Sequence, residues 1–186
     1  NNGRIDPVRN HTLLGKERHD IGRVEGDKLS VSYPVRAIRT DQYLYVKNFI
    51  PSRWPVGNPE YGLLNCDNSP TKTHLINLKD DKKNGNYYNM NFGKRPEEEL
   101  YNVTKDPDCV VNLASNLVYS KIKDSLWLSL KTKLIEHQDP RILGKGDIFD
   151  YYPYSRIPRQ QKLYNKSDYD PIKLFEEKFS QKVNVN

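Results

Sequence analysis

The sequence predicts a small α+β protein, and three stretches carry that prediction. SYPVRAIRT (32–40) and QYLYVKNF (42–49) are β-branched and aromatic runs that meet at Thr40-Asp41, the pattern of a β-hairpin. EELYNVT (98–104) predicts a third strand, closed by Lys105-Asp106-Pro107. Val118, Ile122, Leu126, Leu130 and Leu134 then recur at every fourth position, with Trp127 and Ile135 beside them. That is the apolar stripe of a long amphipathic helix over about 115–137. Asp139-Pro140 ends it, because proline pushes the residue before it out of the helical region.

The remaining elements follow in chain order. HTLLG (11–15) is a short apolar run that stops abruptly at KERHD, and it reads as a buried strand opening into a charged loop. Residues 23–30 read as a turn. From Ile50 to Asn91 the composition shifts to Pro, Gly, Asn and Asp without a sustained period, which predicts one long irregular stretch. Within it, DDKKNGNYYNMN (80–91) places Asp80, Asn84 and Gly85 where a calcium-binding loop has them. Lys82 and Asn91 stand where that loop needs oxygen ligands and its closing glutamate, so a turn is predicted instead. The region from Gly144 on is Tyr-rich and Pro-interrupted, with a short helix candidate at 171–179, and reads as a wrapping extension. No internal repeat is present.

Composition bounds the function. Hydrophobic residues make up 35% of the 186 residues with tyrosine counted, against roughly 45–50% for an ordinary soluble domain. Such a chain is short of core material and suits a part of a larger assembly. It opens Asn1-Asn2-Gly3-Arg4 and Met90 is its single methionine, which leads to the expectation of a segment of a longer protein. No apolar run has the length of a membrane helix, so no membrane partner is expected. The net charge of +6 favours an anionic partner such as a sulfated glycan, a nucleic acid or an acidic surface, with a plain solvated surface as the alternative; no nucleic-acid motif accompanies it. Cys66 and Cys109 have no zinc-type spacing, and they do not fix the compartment. The acceptor sequons at Asn10, Asn102 and Asn165 matter only in a secreted eukaryotic protein.

GKERHD (15–20), YPVRAIRTDQYLYVKNFIPSRWPVGNPE (33–60), FGKRPEEELYNVTKDPDCVVNLA (92–114) and DPRILGKGDIFDYY (139–152) read together as a family. They resemble the C-terminal portion of a type I, formylglycine-dependent sulfatase of the alkaline phosphatase superfamily, nearest the branch of heparan N-sulfatase-like enzymes. The resemblance covers nearly the whole chain, and ELYNVTKDP followed by NLA is its most specific element. It implies a small antiparallel sheet of about four strands packed on a long C-terminal helix, plus one strand belonging to a large α/β domain. On that layout residues 1–30 are the end of the large domain, with its last strand and active-site loop. Residues 31–143 are the C-terminal subdomain, and 144–186 the wrapping extension. The resemblance further implies calcium and formylglycine held in an N-terminal sulfatase domain, with no cofactor in this segment. The implied substrate is a sulfated glycan or another sulfated small molecule, and the implied location periplasmic, extracellular or lysosomal.

Phe49-Ile50-Pro51-Ser52-Arg53 mimics the family's nucleophile motif without its chemistry. That motif starts on a Cys or Ser, and phenylalanine has no sulfur or hydroxyl to convert. The segment alone is therefore expected to be inactive and to furnish support and part of a substrate pocket. The residues singled out are Lys16, Arg18 and His19, which follow a strand end where ligands of α/β sheets bind. Lys16 and Arg18 suit sulfate or carboxylate groups, and His19 suits a hydrogen bond or proton donation. Arg36 and Arg39 are read as salt-bridged into the sheet, and Glu97-Glu98-Glu99 as an ion-pairing run. Trp54 and Tyr61 are read as packing residues with a lesser prospect of stacking on a sugar. The alternatives are a phosphoesterase or phosphonate hydrolase fragment of the same superfamily, and a non-catalytic module that binds polyanionic glycan.

Overall fold

The computed structural model describes residues 9–18, 23–25 and 28–152. His19, Asn165 and the helix candidate at 171–179 lie outside the described residues. In chain order the elements are β1 (His11–Lys16), β2 (Val24–Glu25), β3 (Lys28–Leu29), β4 (Val35–Thr40), β5 (Tyr43–Asn48), α1 (Pro70–Asn77), α2 (Gly85–Phe92), β6 (Glu98–Asn102) and α3 (Ser120–Glu136). They fall into two compact units. One comprises Asn1–Glu17, Tyr33–Ser52 and Arg95–Asp139; the other comprises Arg18–Ser32, Arg53–Lys94 and Pro140–Asn186.

The first unit is the predicted α+β assembly. Its sheet has four antiparallel strands in the order β1-β4-β5-β6. The hairpin closes at Thr40, whose hydroxyl accepts the Tyr43 amide at 3.0 Å. Leu13, Ile38, Tyr45 and Leu100 stand opposite one another across the four strands, so they share one face. That face meets α3: the Tyr45 and Trp127 rings lie 6.2 Å apart. Leu130 and Leu134 are the helix residues buried there, beside Ile38, Tyr45 and Leu100, all five at 5% exposure or less. Each such side chain contributes about 1.5–3 kcal/mol by leaving water.

Three expectations are corrected here. HTLLG is a strand but not a buried one: β1 is an edge of the four-stranded sheet, and Leu14 is 49% exposed. Successive strand residues face opposite sides, so only His11 and Leu13 of the run are partly covered. Val118 and Ile135 are exposed; Leu117–Tyr119 forms a 3-10 turn ahead of α3, which shifts Val118 off the helical stripe. The stretch 50–91, expected to be irregular, holds α1 and α2. Ser69 caps α1 by accepting the Lys72 amide at 3.1 Å, and Pro70 supplies a preset first turn.

The motif ELYNVTKDPDCVVNLA is explained by backbone amides that need acceptors. After β6, the Asn102 side-chain oxygen accepts the Thr104 hydroxyl and the Lys105 amide. Asp106 accepts the amides of Val110 and Val111, and Asn112 those of Leu100 and Ala114. Three short polar side chains thereby hold a loop that no regular ladder could satisfy. Asn102 is 4% exposed and so engaged that its sequon is closed to modification in the folded protein.

In the second unit β2 and β3 form a two-stranded ladder. Leu63, Tyr88 and Phe92 make a small core with Val56, Cys66 and Leu75 against it. Lys72 is buried in α1, where its ammonium donates to Leu63 O, Cys66 O and Asn68 Oδ1 at 3.1, 2.8 and 3.2 Å. Those three acceptors use the three ammonium donors, so a buried charge is tolerated. Cys66 and Cys109 are free thiols.

Candidate functional site

The residues singled out by sequence begin where β1 ends. Lys16 is its last residue, with an exposed side chain. Its backbone is held from the neighbouring strand. Arg36, the cross-strand partner of Gly15, donates from Nη1 to Lys16 O at 3.3 Å and to Val35 O at 2.9 Å. Its Nη2 reaches Glu17 Oε1 at 2.7 Å, and Nε reaches Asp139 Oδ2 at 2.7 Å. Burial alone would lower the guanidinium's pKa, but Asp139 and Glu17 outweigh burial and raise it. The expected salt-bridged role of Arg36 is what the structure shows.

Arg18 belongs to the second unit. Its Nη1 donates to Tyr152 O at 2.7 Å and to Ser30 O at 3.3 Å, so this guanidinium braces two loop carbonyls. His19 lies outside the described residues. The structure thus gives Lys16 an exposed position with its backbone carbonyl held by Arg36, and Arg18 a bracing role.

Two members of the acidic run form the ion pairs expected of it. Glu97 takes Lys47, and Glu98 takes Lys123 at 2.9 Å together with the Tyr45 hydroxyl at 2.6 Å. Burial would raise the Glu98 carboxyl, but Tyr45 and Lys123 hold it below the ordinary range. Glu99 is buried and accepts Asn48 Nδ2 and the Tyr101 hydroxyl. Trp54 carries the Lys94 ammonium 5.1 Å from its ring centre, and Tyr61 is 51% exposed.

The arginine of FIPSRW has a structural explanation. Arg53 Nη1 donates to Ser32 O and Ser32 Oγ, and Nη2 donates to Glu25 Oε2 at 2.6 Å and Asp150 Oδ2 at 2.8 Å. Asp150 in turn accepts the Ser32 amide and hydroxyl, and Arg141 donates to Ser32 Oγ at 2.7 Å. The second unit is tied together by this buried network, in which Ser32 Oγ is the shared atom. Sequence reasoning missed it because Arg53 and Asp150 are 97 positions apart.

A pH dependence follows from Asp150. Burial would raise its pKa, but Arg53 and Ser32 outweigh burial and depress it. A depressed carboxylate contributes stability that is fully present above its unfolded value of about 4 and is lost as pH falls through the folded one. Urea midpoints for the second unit are therefore expected to drop progressively as pH is lowered below about 4. The slope should flatten in Asp150→Asn; an equal slope in that variant would remove Asp150 as the cause.

Among the described residues no group of three His, Cys, Asp or Glu side chains stands together to hold a metal ion. Phe49 has no sulfur or hydroxyl to serve as a nucleophile. No helix among the described residues is long and apolar enough to cross a membrane. No protein-family model matches the chain, and no curated protein matches it either.

Proposed function

We propose that this chain is the C-terminal part of a sulfatase that hydrolyses sulfate esters or sulfamates on glycans. Its role is to support the fold and to contribute part of the substrate pocket, while nucleophile and calcium belong to an N-terminal sulfatase domain. One observation carries the reading: the stretches that resemble the family supply the end of β1, the β4–β5 hairpin and β6 of the first unit's sheet, while their parts at 53–60, 92–94 and 140–152 fall in the second unit. GKE ends β1, YPVRAIRTDQYLYVKNF forms the β4–β5 hairpin, and ELYN forms β6. A four-stranded antiparallel sheet with one long helix suits the small α+β layout that the resemblance implies, with β1, the strand assigned on that layout to a large domain, serving as one of the four.

The chemistry assigned to the segment is limited to what its residues offer. Sulfuryl transfer needs a nucleophile at sulfur, cations beside the sulfuryl oxygens and a proton for the leaving oxygen. Lys16 and Arg18 supply cationic side chains, and His19 supplies an imidazole able to hydrogen-bond a sugar or leaving oxygen. The net charge of +6 draws a sulfated substrate to the surface.

The test compares the 186-residue chain with the protein translated in one frame through it. The longer protein is expected to release sulfate from a sulfated glycan, and the 186-residue chain to release none. In the longer protein His19→Ala should lower turnover by about 100- to 10,000-fold if the imidazole is a proton donor. Phosphate release in place of sulfate would move the assignment to the phosphoesterase reading. Salt-sensitive glycan binding with no hydrolysis by either protein would move it to a binding module.

A further inference from the structure

Helix α3 carries apolar residues on two faces. Leu130 and Leu134 are buried, yet Leu128 is 65% and Ile135 47% exposed, and Leu117 and Val118, in the turn that leads into the helix, are still more open. Positions 121, 124, 128, 131 and 135 follow one another by alternate steps of three and four, so they form one stripe along the side of α3 away from Leu130. Its residues are Lys121, Asp124, Leu128, Lys131 and Ile135, all exposed. A stripe with that spacing is the kind of seam that one helix offers to another.

The charges on this stripe are left over from the rest of the fold. Lys123 pairs with Glu98, and Lys133 with Glu136. The Asp124 side chain is 73% exposed and stands 4.0 Å from Lys123, while among the described residues Lys121 and Lys131 have no carboxylate partner. Their order along the helix is self-complementary about Leu128. When two copies of α3 lie antiparallel across a twofold axis at Leu128, residues equally far before and after it come opposite one another. Leu128 then meets Leu128 of the second copy. Asp124, four before, meets Thr132, four after, with Lys131 next to it; Lys121, seven before, meets Ile135, seven after. The axis makes each flanking contact twice, so two pairs of Asp124 with Lys131 border the central leucines and two Lys121 stems cover Ile135. A parallel pair would set Asp124 against Asp124 and Lys131 against Lys131, which repels.

We propose that the outer face of α3 is a docking surface for a second copy of this chain, joined as an antiparallel twofold helix pair centred on Leu128. The charge order singles out a second copy, because the stripe supplies its own complement when turned about that axis. Two helices of 17 residues bury about 1,000 Å² between them, the low end of specific interfaces, so the dimer is weak, with a dissociation constant of about 10–100 μM. This interface does not depend on the sulfated-glycan reading, and either can fail without the other.

Sedimentation equilibrium of the 186-residue chain from about 5 to about 500 μM, in about 0.15 M salt to screen the +6 charge of each copy, provides the test. A monomer–dimer equilibrium is expected in that range, weakened more than about tenfold by Leu128→Glu at its centre. Asp124→Lys and Lys131→Asp, each alone, should weaken it about tenfold by setting like charges across the axis. The double variant Asp124→Lys with Lys131→Asp should restore it, which only the antiparallel pair allows, since a parallel pair keeps like against like. These three positions are exposed, so circular dichroism should show every variant folded as the parent. A chain that stays monomeric at about 500 μM overturns the proposal, as does a dimer that Leu128→Glu leaves intact. A double variant as weak as the single ones overturns the antiparallel pairing. Monomeric behaviour, with slower amide exchange at Leu128 in the protein translated in one frame through this chain, would give the face to another domain instead.

Discussion

Arg53→Met is expected to destabilise the second unit by about 3–5 kcal/mol, the usual consequence of removing one member of a buried ion pair. The loss is large because of what stays behind. The Asp150 side chain is 1% exposed, and without Arg53 its charge retains, among the described residues, the Ser32 amide and hydroxyl. Ser32 O and Oγ also lose a donor. Glu25 contributes less to the effect, since its side chain is 48% exposed and water can replace the guanidinium. Changing both members, Arg53→Met with Asp150→Leu, should recover part of the loss because no uncompensated charge remains. The chain has two tryptophans, Trp54 in the second unit and Trp127 in the first. Fluorescence in a Trp127→Phe background therefore reads the second unit alone. A urea midpoint for Arg53→Met within about 0.5 kcal/mol of the parent would place this network among surface interactions and refute the account.

This arginine shows why the sequence was misleading at one point and informative at others. PSR resembles a catalytic fragment, yet its arginine is explained by a serine 21 positions earlier and an aspartate 97 positions later. Long-range polar partners leave no periodic trace. The hairpin was legible because β-propensity and turn chemistry agree across Thr40-Asp41, and α3 because burial on one face imposes a helical period. The two short helices were overlooked for opposite reasons. Helix α1 buries a lysine in place of an apolar stripe, though Ser69-Pro70 announced its start. Helix α2 begins at Gly85, a poor helix former, while its signal was the i, i+4 pair Tyr88 and Phe92, whose rings pack edge to face at 5.4 Å. At the candidate site Lys16 was legible as a strand end. Its clamp was not, since Arg36 and Asp139 are 103 positions apart.

The second large effect is expected in the first unit, where Leu130→Ala should cost about 2–5 kcal/mol. Leu130 is fully buried at 0% exposure on the face of α3 that meets the sheet. Truncation removes three carbons from a site bounded by strands whose backbone ladder resists collapse, so a cavity adds to the lost transfer free energy. Leu128 makes the control. It lies two residues away on the same helix and is 65% exposed, so Leu128→Ala should change stability by no more than about 0.5 kcal/mol. Both variants keep helix propensity at least as high, since alanine is the better helix former, and any difference must come from packing. Trp127, whose ring lies tilted 6.2 Å from that of Tyr45, reports that packing directly when Trp54 is replaced by phenylalanine. Equal losses for the two variants would mean that α3 does not present the face described, and the four-stranded sheet would have to find its cover elsewhere.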